Sequence, residues 1–246
     1  MGGDVFQAVV IIGVVIAVFV AILGYAIRYE RKLRQALQDL ADARGWHYEA
    51  CRLDYGTGGK TAKGFRLVPA GSGGDWQLEV VRRFSSGRTR RGGARTTSPG
   101  NAEFRLPEPV FEGGLAVFAA GSAGSTGGAA TPPGISDNRD DEGVPGSFLG
   151  PDIERHIGQL RPFPAPEGSG LTVMGTADPS LLFDLPTMGR LLNGWASPRG
   201  QWARPKLVIG EAGLRLMVGH ELVTPEAVTQ MVDLGLELGA KAASRR

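Results

Sequence analysis

The sequence has few of the residues from which catalytic and metal sites are commonly built. It contains one cysteine, Cys51, and three histidines (His47, His156 and His220) that lie far apart in the chain. A single cysteine excludes an intrachain disulfide, and the histidine spacing provides no local pair of zinc ligands. No serine has glycine two positions before and two positions after it, as the nucleophile elbow of α/β-hydrolases requires. We therefore predict no catalytic residue, metal or cofactor, and we interpret Cys51 as a packing residue.

The stretch DYGTGGKT (54–61) lacks the first glycine of a phosphate-binding loop. That motif reads G-x-x-x-x-G-K-[ST], and Asp54 occupies the position of its first glycine. The strand-like run TAKGFRLV follows, whereas a phosphate loop opens a helix whose N-terminus faces the phosphates. We predict a turn between two strands and no nucleotide site.

Three other stretches match ligand-binding motifs only in part. KGFRLV (63–68) lacks the aromatic that follows in RNA-recognition strands, and 121–127 lacks the paired glycines of dinucleotide folds. The acidic stretch 136–143 places Arg139 where a calcium loop needs a ligand. None of these stretches predicts a ligand. A membrane-tethered enzyme whose site is assembled from distant residues is the alternative that the motifs leave open.

Net charge is small, at +2, so the chain as a whole has no strong attraction to nucleic acid. Positive charge is instead local, because residues 82–95 contain six arginines and no acidic residue. Within this stretch, four arginines are candidates for contact with an anionic partner: Arg88, Arg90, Arg91 and Arg95. Anionic lipid is one such partner; nucleic acid is a less favoured one, and a solvated loop without a partner is the third interpretation.

Residues 5–27 form a long apolar run in which Gln7 is the only strongly polar side chain. As a helix this run spans about 34 Å, enough to cross a hydrocarbon core of ~30 Å. A cleaved signal peptide, the competing interpretation, has a basic start and a shorter apolar core. The start here is MGGD, so we predict a retained transmembrane anchor.

Charges beside the run predict its direction. No lysine or arginine precedes it, and Arg28, Arg31, Lys32 and Arg34 follow it directly. Because positive residues stay on the cytoplasmic side, we predict a single-pass protein of the bacterial inner membrane with its N-terminus outside. The four cations are also placed to contact anionic headgroups of the lipid bilayer. The alternative is that they serve only as topology signals.

Small residues recur along one face of the predicted span. Gly13, Ala17 and Ala21 follow one another at intervals of four residues. Such faces allow helices to pack closely in lipid. They are therefore candidates for self-association or for contact with a protein partner.

The rest of the chain has the pattern of an α+β domain. Leu33, Leu37 and Leu40 extend the helix to about Arg44, and Gly45 is a stop signal. Helical pieces are expected at 151–160, from 179, at 187–195 and from 225. Alternating patterns predict strands at 46–50, 65–68, 76–84, 103–106, 115–120 and 171–176, and a hairpin at 206–219. We expect a mostly antiparallel sheet with helices packed on one face.

The predicted organisation has five parts: a transmembrane anchor (1–27), a juxtamembrane helix (28–45), a β-rich segment (46–120), a linker or insertion rich in Gly, Pro and Asp (121–147), and an α+β segment ending in a helix (148–246). Residues 85–101 and 121–146 carry few large apolar side chains, so we predict loops there. The pattern leaves open whether the β-rich and α+β segments share one sheet.

The stretches LADARGWHYE, EGGLAVFAA and PKLVIGEAGLRLMVGHELVTPEAVTQMVDLGLEL carry a resemblance to bacterial membrane-anchored families of unknown function. Those families have N-terminal spans followed by a cytoplasmic α+β domain. The resemblance implies this layout and brings no catalytic motif. We therefore expect a binding, scaffold or membrane-sensing module rather than an enzyme.

Overall fold

The structure of the chain, a computed structural model, describes residues 2–55, 60–71, 74–82, 84–85, 97–98, 100–120, 155–195 and 204–243. The helices are α1 (Gly2–Arg44), α2 (Leu185–Asn193) and α3 (Pro225–Ala243). The strands are β1 (Trp46–Tyr55), β2 (Lys60–Pro69), β3 (Gln77–Val81), β4 (Phe84–Ser85), β5 (Thr97–Ser98), β6 (Asn101–Leu106), β7 (Ala116–Ala120), β8 (Arg161–Phe163), β9 (Leu171–Gly175), β10 (Lys206–Gly210) and β11 (Gly213–Val218). Two short 3-10 turns cover Ile157–Gln159 and Pro179–Leu181.

Nine of these strands form one sheet in the order β1-β2-β3-β6-β11-β10-β7-β9-β8. Every neighbouring pair in this sheet is antiparallel. Strand β6 pairs with β11, and β7 lies between β10 and β9. The β-rich and α+β segments therefore share one sheet. This answers the question that the sequence pattern left open. Strands β4 and β5 form a separate two-stranded ladder.

The helices pack on one face of the sheet. Alternate strand residues, among them Phe65, Phe104 and Phe118, point to this face and are fully buried. They meet Leu37 of α1 and Val228 of α3 in one apolar cluster. Burying such side chains stabilises the fold by about 1.5–3 kcal/mol each. The predicted α+β architecture, an antiparallel sheet with helices on one face, is confirmed.

Glycines allow α3 to lie close to the sheet. A side chain at Gly235 would overlap the Phe104 ring, and one at Gly239 would overlap Leu106. Helix α3 places these glycines on its apolar face, together with the buried Val232. The close approach therefore depends on glycine at both positions.

Local signals explain where helices begin and end. Gly45 has φ of +65°, a conformation that favours glycine, and it turns the chain from α1 into β1. The side chain of Thr224 accepts a hydrogen bond from the Ala227 amide, which caps the helix that the sequence predicts from residue 225. Asp178 accepts one from the Ser180 amide in the same way.

Some local predictions were wrong. The helix expected from residue 179 is only a 3-10 turn, and the helix expected at 187–195 begins earlier, at Leu185, so that it includes Pro186. This proline lies in the first turn of α2, where proline is tolerated, after the N-cap Asp184. Strand β8 was not predicted, and parts of the loop expected at 85–101 belong to β4, β5 and β6. The loop expected at 121–146 and the helix start at 151 lie outside the described residues.

Candidate membrane anchor and interhelical groove

The described side chains of the first part of α1, those of residues 13–32, are not buried by the rest of the described chain. From Gly13 to Lys32 every side chain is exposed, including Phe19 at 67% and Leu23 at 52%. A row of exposed apolar side chains on a soluble protein marks a surface that meets lipid or a partner. By length and composition α1 qualifies as a membrane-spanning helix, although a signal sequence near the N-terminus meets the same criteria.

The second part of α1 belongs to the core of the domain. Leu37 and Ala41 are completely buried, and Leu33 and Leu40 pack against the same cluster. Because α1 is one uninterrupted helix from Gly2 to Arg44, its exposed apolar part and its buried part share one axis.

An ion pair links the sheet to the junction between the two parts of α1. Glu30 of α1 accepts a hydrogen bond of 2.5 Å from Arg82, the residue after β3. Tyr48 stacks on Phe65, and burial raises the pKa of its hydroxyl although the nearby charges of Arg82 and Arg34 lower it. The end of the sheet that holds Arg82 therefore faces the apolar part of α1, and we call it the anchor end.

Cations cluster on α1 at the anchor end. Arg28, Arg31, Lys32 and Arg34, the predicted interface residues, are all exposed. None of them forms an ion pair with another residue in the described part of the chain. The other predicted set, Arg88, Arg90, Arg91 and Arg95, lies outside the described residues.

The small-residue face of the span is open. Gly13, Ala17 and Ala21 are exposed, and a side chain added at Gly13 would meet no atom within 4 Å. The described part of the sheet domain does not cover this face. Its use in helix packing stays a prediction.

A groove of about 660 Å³ lies where the end of α1 meets α2 and α3. Its apolar lining consists of Leu40, Leu191, Leu234 and Trp195. Trp195 is only 8% exposed, and its indole Nε1 has no hydrogen-bond acceptor in the described part of the chain. Sequence patterns did not reveal this groove because its walls come from three distant helices.

The charged residues that line the groove are mostly acidic. Glu226, Asp233 and Glu237 of α3 face one cation of α2, Arg190. Asp233 is paired with Arg44 at 3.3 Å, whereas the carboxylates of Glu226 and Glu237 have no cationic partner among the described residues. The groove thus combines an apolar floor with a negative rim.

The sheet face away from the described helices carries a network of ion pairs. Glu79 accepts hydrogen bonds from Arg66 at 2.8 Å and from Gln77 at 2.7 Å. Glu103, its cross-strand neighbour, bonds Arg215 at 2.6 Å and Arg105 at 3.0 Å. The alternation of charged with apolar residues in β3 and β6 was the sequence signal for this face.

The network does not have the properties of a catalytic acid–base pair. Burial opposes the charge of Glu103, but hydrogen bonds and positive charge from Arg105 and Arg215 outweigh it, so its pKa lies below the ordinary value. A carboxylate so held is a weak base near neutral pH. We interpret the network as structural.

The remaining candidate groups are separate in space or outside the described residues. No cluster of three His, Cys, Asp or Glu side chains that could bind a metal occurs among the described residues. Burial raises the pKa of the Cys51 thiol, which packs beside Ala62 and Val81. Lys60 and Thr61 open strand β2 instead of a helix, which confirms the hairpin expected in place of a phosphate loop.

Comparison of the chain with models of known protein families, with curated proteins and with solved structures gave no match. The resemblance noted from the sequence therefore stays a prediction, and any function assigned to the chain rests on its own geometry.

Proposed function

We propose that this protein is a single-pass, membrane-anchored binding module. Helix α1 crosses a bacterial inner membrane with its N-terminus outside, and the sheet domain lies in the cytoplasm. The observation that carries the proposal is the uninterrupted α1, which joins an exposed apolar segment to a buried core segment. The cations that directly follow the apolar segment support the orientation.

Cysteine accessibility tests the anchor and its direction. The chain with Cys51→Ala offers single cysteines at Gly3→Cys, before the apolar segment, and at Glu167→Cys, an exposed turn of the domain. A membrane-impermeant maleimide should label position 3 in intact spheroplasts and position 167 only after lysis. Labelling of position 167 in intact spheroplasts would contradict the orientation, and release of the protein by carbonate would contradict the anchor.

We further propose that the groove between α1, α2 and α3 binds a basic amphipathic segment of a partner protein. Its floor offers Leu40, Leu191 and Leu234 to apolar side chains, and its rim offers Glu226 and Glu237 to lysine or arginine. Complementary charge sets specificity and register at such surfaces. We favour binding over catalysis because the two least exposed carboxylates of the ion-pair network are not available as acids or bases. Glu79 is paired with Arg66, and Glu103 is paired with Arg215.

Charge reversal tests the groove. A photo-crosslinker at Thr229, which lines the groove, should form a specific adduct in native membranes. Glu237→Lys should reduce that adduct at least tenfold, whereas Glu167→Lys, an equal charge change in an exposed turn away from the groove, should leave it unchanged. An adduct that survives Glu237→Lys would contradict the proposed chemistry of the partner.

A further inference from the structure

The β1–β2 hairpin extends along α1 toward the apolar segment. From Arg44 back to Glu30 the helix rises about 21 Å, and from Trp46 to Arg52 strand β1 rises about 20 Å. The contacts agree with this antiparallel alignment. Arg52 pairs with Lys63, the Lys63 carbonyl accepts a bond from the Arg82 amide, and Arg82 holds Glu30.

The hairpin continues past this level. Strand β1 reaches Tyr55, about 30 Å from Trp46, where it is paired with Lys60. The apolar segment of α1 ends at residue 27, only about 26 Å from Arg44. The end of the hairpin therefore lies level with the last turn of the apolar segment, at the depth of lipid headgroups when α1 spans a bilayer.

Two cations of the hairpin lie opposite each other near this end. Arg52 and Lys63 are exposed cross-strand partners on the sheet face that Phe65 presents to α1. Like charges directly opposite in a hairpin are destabilising. Neither side chain forms an ion pair within the described part of the chain.

Ion-paired cations in the described part of the chain lie mainly away from the anchor end, and unpaired ones mainly at the anchor end; the exceptions include Arg82, which pairs with Glu30, and the exposed Arg161 of β8, which has no ion pair among the described residues. Away from the anchor end, Arg44, Arg66, Arg105 and Arg215 are held in ion pairs. At the anchor end, the four cations of α1 together with Arg52 and Lys63 are exposed and without an acidic partner in the described part of the chain. A surface rich in acidic groups, supplied from outside the protein, would match this set.

We infer that the β1–β2 hairpin is a second membrane contact, in which Arg52 and Lys63 bind anionic lipid headgroups beside the cations of α1. This inference rests on the proposed insertion of α1, which brings the hairpin to the surface. Each basic residue near an anionic surface adds about fivefold to binding. The hairpin contact fixes the tilt and rotation of the domain, which a single helix leaves free.

Depth measurement on the full chain in nanodiscs tests the inference. Nitroxide probes at Ala50→Cys, in the hairpin, and at Arg161→Cys, on the far edge strand, are read with Cys51 replaced by alanine. With anionic phosphatidylglycerol and a trace of nickel-chelating lipid, the headgroup nickel should relax the probe at position 50 and leave position 161 unaffected. Equal relaxation at both positions would overturn the inference.

Charge variants separate binding from mere proximity. Arg52→Gln with Lys63→Gln should reduce the relaxation at position 50 several-fold, and so should replacing phosphatidylglycerol with neutral phosphatidylcholine. Arg161→Gln, a matched loss of an exposed cation, should have no effect. Relaxation that is the same in neutral lipid, or in the double variant, would overturn the headgroup contact.

A probe at Val18→Cys separates this inference from the proposal on which it rests. Inserted α1 should make that probe accessible to oxygen and inaccessible to aqueous nickel. If position 18 is in water, the proposed anchor fails together with the hairpin contact. If position 18 is in lipid while position 50 is remote from the headgroups, only the hairpin contact fails.

Discussion

The two parts of α1 belong to one helix but have opposite surroundings. From Gly13 to Lys32 the side chains are exposed and mostly apolar, whereas Leu37 and Ala41 are buried against the sheet. In the first part apolar residues occur all round the helix, and in the second part they form one stripe. The periodicity, more than the hydrophobicity, therefore distinguishes the exposed candidate span from the segment that packs on the sheet.

Truncation of a buried leucine should distinguish the two parts most strongly. Leu37→Ala should lower the free energy of unfolding of the domain by about 2–5 kcal/mol, because it leaves a cavity beside the sheet. Leu23→Ala, the same change in the exposed part, should leave it within about 0.5 kcal/mol. Urea denaturation of the full chain in mild detergent, followed by tryptophan fluorescence, measures both. Equal losses would contradict the division of α1.

A charge in the apolar part should have the complementary effect. Val18→Arg should oppose insertion by about 2.5–3.5 kcal/mol and leave the unfolding of the domain unchanged. Gln35→Arg, at an exposed position of the second part, should leave insertion unchanged. Carbonate extraction of membranes measures the inserted fraction. Loss of insertion with Gln35→Arg would show that the anchor extends further than residue 27.

Acid should affect the domain and spare the anchor. The folded-state pKa of Glu103 lies below its ordinary value of 4.5, so its contribution to stability is full above that value and is lost as pH falls toward the folded pKa. The urea concentration at the midpoint of unfolding should therefore decrease when the pH is lowered below about 5. Glu103→Gln should show a smaller fall, and membrane insertion should not change. If the variant and the unchanged protein had identical pH profiles, Glu103 would be excluded as a source of the acid sensitivity.

The smallest effect is expected at the boundary between the two parts. Glu30→Gln removes the ion pair with Arg82, which is partly exposed. Exposed pairs contribute about 0.2–1 kcal/mol, so the urea midpoint should shift only slightly. A loss above about 2 kcal/mol would show that Glu30 belongs to the core of the domain. Asp39→Asn, an exposed acid of the same helix, is the matched control.

Local signals predicted most individual elements. The end of α1 follows from Gly45, which adopts the conformation that glycine favours, and the cap at Thr224 marks the start of α3. The strands that alternate clearly, such as β3 and β6, were found for the same reason, because alternation reflects the two environments of a strand. Strand β8 is only three residues long, too short for any period to appear.

Which distant strands pair and which distant helices meet could not be predicted from the sequence. Nothing in the sequence of β7 indicates that it lies between β10 and β9, because pairing depends on backbone hydrogen bonds that all strands share. The groove depends in the same way on the meeting of Leu40, Leu191 and Leu234 from three helices. The cations of α1 were predictable from the sequence. That Arg52 and Glu30 lie at the same level along the axis of α1 could be seen only from the register of the hairpin.

The position of the β10–β11 hairpin has a consequence for the order of folding during synthesis. Strand β6 needs β11 and strand β7 needs β10 as partners, and both are made more than eighty residues later. The ribosome therefore releases α1 and seven earlier strands of the sheet before the central hairpin exists. Until that hairpin emerges, β6 and β7 each lack one partner strand, and the sheet is completed only by a long-range pairing, which is intrinsically slow. Unpaired strand edges can pair with other chains, so this is the interval in which the nascent chain needs protection from aggregation.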